Sequence, residues 1–128
     1  MKRLSTLAFF ALLLPLQAAL ASPDVTRAHF QLSKSSPAAD AAVPSPTEVR
    51  LWFSQEPQNG TTSIRVLDAA EKPLHTGDVV RDAQDGKVHS VALHGRLAPG
   101  RYTVAWRAMG QDGHVVRGDF SFTVTAGR

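Results

Sequence analysis

The strongest constraint on the fold is alternation with a period of two. Within residues 48–54, Val49, Leu51 and Phe53 fall on one side of an extended chain while Arg50 and Trp52 fall on the other, as a strand buried on one face requires. Tyr102, Val104 and Trp106 alternate with Thr103, Ala105 and Arg107 in the same way, and Phe120, Phe122 and Val124 alternate with Ser121, Thr123 and Thr125. These last two runs carry much of the aromatic content to the core. Weaker runs at residues 29–33, 63–68, 74–81 and 87–93 bring the expected count to about seven strands, separated by turn signals every 10 to 14 residues or so. No apolar stripe with helical spacing competes with them. The pattern predicts an all-β chain folded as a single Greek-key β-sandwich.

The punctuation between the runs has its own chemistry. Asn59-Gly60, Asp85-Gly86 and Asp112-Gly113 tolerate the positive φ angles of tight hairpins, and Pro99-Gly100 suits a turn. Asn59-Gly60-Thr61 also matches a glycosylation sequon, but the hairpin needs fewer assumptions. Pro44 and Pro46 predict an irregular connection over residues 36–47, and the alanines within residues 38–42 are too few to sustain a helix. There is no internal repeat and no low-complexity tract.

Residues 1–21 have the layout of a cleaved secretion signal. Lys2 and Arg3 precede an apolar run from Leu4 to Leu16, and Ala19-Leu20-Ala21 supplies a small-x-small cleavage site. The run is short for a membrane span, although an uncleaved anchor is the competing reading. The mature chain then begins at Ser22, and residues 22–128 form one domain able to bury a modest core. Removing Lys2 and Arg3 takes two charges from the formal net charge of +3. The remaining balance gives a nucleic-acid role no support. Cysteine is absent and the methionines are Met1 and Met109. The exported domain is therefore held without disulfides, and any metal site in it must be built from nitrogen and oxygen.

Signatures of catalysis are missing. There is no GxSxG elbow, no HExxH, no phosphate-cradling glycine loop and no cysteine nucleophile, so the chain reads as a non-enzyme. The segment from Gly110 to His114 stands out instead. Residues two apart in extended or turn geometry can face one side, so Asp112 and His114 offer one carboxylate oxygen and one imidazole nitrogen to a single ion. An Asp-Gly hairpin followed by an exposed histidine is the plainer account, and spacing alone favours it. His75, His89 and His94 lie on expected strands or their ends without paired spacing, which favours surface or structural roles. Trp52 and Trp106 suit packing, and Arg107 and Arg117 suit solvation of the sheet.

The segment Tyr102-Thr103-Val104-Ala105-Trp106-Arg107, followed by Asp112-Gly113-His114, Gly118 and Phe120-Ser121-Phe122-Thr123-Val124, resembles the C-terminal signature of the CopC copper-resistance family. Ala28-His29, Ser35-Ser36-Pro37-Ala38, Val49-Arg50-Leu51-Trp52-Phe53-Ser54 and Leu97-Ala98-Pro99-Gly100 match in order. The resemblance runs over nearly all of residues 28–125. It implies a periplasmic sandwich of immunoglobulin-like or cupredoxin-like form that binds copper and supports copper tolerance or delivery. The implied Cu(II) ligands are His29, Asp112 and His114. The implied partners are copper and an inner-membrane copper-transport protein, and a monomer is expected.

Three departures from the family pattern bear on that expectation. Cleavage before Ser22 leaves seven residues ahead of His29, so the family's terminal amine would be lost as a ligand and His29 would enter through its imidazole alone; cleavage after Ala28 would restore the amine. Gln55 stands where the family has a glutamate, with Glu56 one place on. The methionine-rich cuprous site of some members is absent. The leading expectation is a Cu(II) protein that holds or passes its ion without turnover. A copper-free interaction module is the alternative, and a copper enzyme with a histidine-and-amine brace would need His29 as its first residue.

Overall fold

The computed structural model describes residues 29–127; the expected leader and residues 22–28 lie outside them. The described chain is all β. Its strands are β1 (Leu32–Ser36), β2 (Ala42–Val43), β3 (Glu48–Phe53), β4 (Ser63–Leu67), β5 (Val80–Arg81), β6 (Val88–Ala92), β7 (Gly100–Met109) and β8 (Val115–Val124). They form two four-stranded sheets in the orders β1-β3-β6-β5 and β2-β8-β7-β4. Among the described strands only β5–β6 and β7–β8 are hairpins of sequential partners, and the connections after β1, β2, β3, β4 and β6 cross from one sheet to the other. This is the crossed connectivity of a Greek-key sandwich.

The alternation that predicts the strands also selects the core. Val49, Leu51 and Phe53 of β3 are buried, as are Ile64 and Val66 of β4, Tyr102, Val104, Trp106 and Ala108 of β7, and Phe122 and Val124 of β8. Tyr102 and Phe122 are register partners on β7 and β8 and stack with centroids 5.7 Å apart. The Tyr102 hydroxyl donates to the Ala98 carbonyl at 2.7 Å, a tyrosine corner that anchors the entry to β7. Trp106 faces Gly118 across the β7–β8 register, and a Cβ at residue 118 would stand 2.8 Å from the indole. Here glycine is required for close approach rather than for a turn.

Several details differ from expectation. There are eight strands, because Ala42 and Val43, inside the connection expected to be irregular, pair in parallel with the end of β8. Two residues bracketed by prolines show no readable period. The expected strand at residues 74–81 contracts to β5. Ahead of it, Pro73 bridges to Leu67 of one sheet and Thr76 to Leu93 beside the other, so the segment divides its pairing between two sheets. Asn59-Gly60 makes a turn with Gly60 at φ 73°, but it joins strands of different sheets and closes no hairpin. Trp52 is half-buried on the outer face of its sheet, where the Lys34 ammonium lies 4.5 Å from its ring centroid.

Candidate metal centre

The β7–β8 hairpin presents the two residues singled out by spacing. Gly110 donates its N–H to the His114 carbonyl and Gly113 donates to Gly110, each at 3.0 Å, and Gly113 takes φ 83°. This turn brings Asp112 back over the chain that follows it. Asp112 Oδ1 accepts the His114 backbone N–H at 3.0 Å, and Oδ2 lies 2.9 Å from His114 Nδ1. The His114 N–H, and after it the His114 ring, hold the Asp112 carboxyl below the usual carboxylate range. The aspartate is therefore ionised at any pH where a metal would compete for it.

His29 arrives from the other side. Its neighbour Phe30 packs on Phe53 with centroids 5.0 Å apart and planes tilted by 30°, and Phe53 meets Trp106 edge-on at 5.4 Å. A Cβ at Gly110 would make only ordinary contact with Phe30, 3.5 Å from its Cβ, but would crowd Asp112 Oδ1 at 3.0 Å, so the glycine leaves room for the carboxylate. The Ser54 hydroxyl accepts the Gln31 N–H at 3.0 Å and donates to the His29 carbonyl at 3.2 Å. The segment 29–31 is thus pinned to the end of β3.

His29, Gln55, Asp112 and His114 line one cleft of about 690 Å³, floored by Phe30 and Val116. Asp112 and His114 are in direct contact. His29 opens onto the same cleft without joining them, and among the described residues no three histidine, aspartate or glutamate side chains stand close enough to share an ion. Two donors about 2.0 Å from a metal and at right angles to one another are about 2.8 Å apart. The 2.9 Å between Nδ1 and Oδ2 matches that edge of a tetragonal site. The side chains are 83% and 66% exposed, so solvent reaches the remaining coordination positions. Gln55 lines the same cleft as His29, Asp112 and His114. The Glu56 carboxylate is paired instead with Arg81, while the Glu56 carbonyl accepts from Gln111 at 3.1 Å.

The other histidines divide into two environments. His89 faces the core opposite Leu51, is 6% exposed, and its Nδ1 has no hydrogen-bond partner among the described residues. Burial, and secondarily the Arg81 charge, lower its pKa. His75 and His94, which have no paired spacing in the sequence, stand with ring centroids 5.1 Å apart. The hidden signal is register: the Thr76–Leu93 bridge is antiparallel, which sets residue 75 directly opposite residue 94.

Residues 32–125 match the model of the CopC domain. The chain is 34% identical over 110 residues to protein YobA of Escherichia coli, covering 85% of this chain and 88% of that protein. It is 30% identical over 103 residues to copper resistance protein C of Escherichia coli, covering 76% and 82% respectively. The crystal structure of CopC from Methylosinus trichosporium superimposes with a TM-score of 0.68 at 33% identity, covering 75% of this chain and 93% of that one. Matching sequence along nearly the whole sandwich, together with the same fold, establishes that this chain belongs to the CopC family.

Proposed function

We propose that the protein is a periplasmic Cu(II)-binding protein that holds or delivers its ion without turnover. Asp112 and His114 form one edge of the site, and His29 supplies a second imidazole after rotating toward them. The observation that carries this reading is the 2.9 Å between His114 Nδ1 and Asp112 Oδ2, a spacing suited to adjacent positions on a tetragonal ion. The names of the copper resistance relatives support it. A donor set of imidazole and carboxylate, without thiolate or thioether, favours Cu(II) over Cu(I).

An ion held by His114 Nδ1 and Asp112 Oδ2 would take the place of the contact between them, and the carboxylate would neutralise part of its charge. Water fills the positions that the chain leaves open. The exposure of both residues suits an ion that is passed on, with an inner-membrane copper-transport protein as the recipient. Cleavage after Ala21 would deliver the chain to the periplasm with His29 as an internal residue.

The test is Cu(II) titration of the metal-free mature protein against a competing chelator, repeated with His114→Ala and His29→Ala. A large loss is expected for His114→Ala and a comparable loss for His29→Ala. Unchanged weak binding in all three would overturn the reading. Intact mass of the exported protein tells Ser22 from His29 as its first residue.

A further inference from the structure

We propose that His75 and His94 form a second metal site, a two-imidazole clamp for one tetrahedral divalent ion of the Zn(II) type. The backbone sets the pair. The Thr76–Leu93 bridge and the hydrogen bond from Gly77 N–H to the Ala92 carbonyl at 3.0 Å belong to one antiparallel register, which places residues 75 and 94 directly across from each other. Directly opposed positions carry Cβ atoms about 5 Å apart, within reach of a shared ion. The rings have closed on each other, with centroids 5.1 Å apart and planes inclined by 30°. A nitrogen about 2.0 Å from a zinc ion puts its ring centroid about 3.1 Å away, so two centroids 5.1 Å apart subtend roughly 110° at an ion lying on both nitrogen axes, close to the tetrahedral angle.

The surroundings fit an ion that keeps two water ligands. His75 and His94 are exposed at the mouth of a cavity of about 240 Å³ floored by Leu74, Leu93, Leu97 and Tyr102. The cation facing this cavity is Arg96, whose guanidinium lies against Gly127. Among the described residues no carboxylate lines the cavity, so the two imidazoles must provide the affinity. The clamp is independent of Asp112 and His114. Tyr102 lies near the start of β7 and the Asp112 turn follows its end, and ten residues at about 3.3 Å each span about 30 Å.

The experiment is a Zn(II) titration of the mature protein followed by the histidine ring resonances, with wild type, His75→Ala, His94→Ala and the double variant compared. Both rings should shift in wild type with a common one-to-one midpoint. Each single variant should weaken that midpoint at least tenfold, and the double variant should weaken it no further, because a chelate is lost with either arm. Thermal unfolding of the metal-free variants should match wild type, since both side chains are exposed. Unchanged midpoints in the single variants, or loss with only one of them, would overturn the clamp.

Discussion

Ser54→Ala tests whether the placement of His29 matters to copper. The Ser54 hydroxyl makes two hydrogen bonds to the segment carrying His29, one from the Gln31 N–H and one to the His29 carbonyl. The backbone bond from Ser54 N–H to the Gln31 carbonyl at 2.8 Å is left intact by the substitution. A net hydrogen bond contributes about 0.5–1.5 kcal/mol, and these exposed ones belong at the low end, so losing both frees the segment by about 1 kcal/mol. If His29 binds copper only when held at the rim, that cost passes to the affinity as a roughly fivefold rise in Kd. The assay is competition against a chelator for wild type, Ser54→Ala, His29→Ala and the double variant. The serine change should weaken binding in the wild-type background and do nothing once His29 is gone. A loss that persists without His29, or no loss where His29→Ala itself costs affinity, would refute the link from Ser54 through His29 to the metal.

Other perturbations probe the frame and its titrating groups. Gly118→Ala should destabilise the domain by about 1–3 kcal/mol, because its Cβ meets an indole already packed on Phe53; urea unfolding reads the loss. Tyr102→Phe should lower stability by about 1 kcal/mol through loss of the bond to the Ala98 carbonyl, seen as a fall of about 4–8 °C in Tm. The lowered pKa of His89 means that the unfolded chain takes up this proton first as pH falls. Stability should therefore decline below about pH 6.5, by at most about 1.4 kcal/mol per pH unit, until the folded-state pKa is reached. His89→Leu should flatten that slope, and an unchanged slope would clear His89 of responsibility. Because Asp112 is already ionised, Asp112→Asn should weaken Cu(II) binding throughout pH 5–7 without altering how steeply acid releases the ion.

The sandwich was legible because burial on one face writes itself into every second residue. β3, β7 and β8 each run long enough for the pattern to be read, and the family resemblance joined them in order. What stayed hidden depended on pairing rather than pattern. Ala42 and Val43 form a strand only because β8 offers them backbone partners. His89 occupies a core-facing place opposite Leu51, yet Val88 and Val91 fall on opposite faces of β6 and both are buried, so the sequence does not say which face is the core side. The approach of His75 to His94 depends on a single bridge at Thr76, and no spacing along the chain encodes that. At the candidate centre the spacing of Asp112 and His114 was readable, whereas the arrival of His29 depends on the contact of Phe30 with Phe53 and on Ser54, which no spacing along the chain relates to residues 112 and 114.

This division follows from where each kind of residue sits. The core faces of β3, β7 and β8 fix the positions of the loop ends to within a side-chain contact, and Phe53 joins them by touching Phe30 on one side and Trp106 on the other. The residues proposed to meet metal lie outside that core, on a turn, a strand end and the leading segment, where a change costs the fold little. A residue such as Gln55, which lines the cleft rather than the core, can thus change at little cost to the packing of the sandwich. A frame that tolerates such exchanges can keep its shape while its ligand set drifts. Affinity for copper should consequently vary more among chains of this family than stability does, and the variation should follow residues 29, 55, 112 and 114 rather than the buried positions.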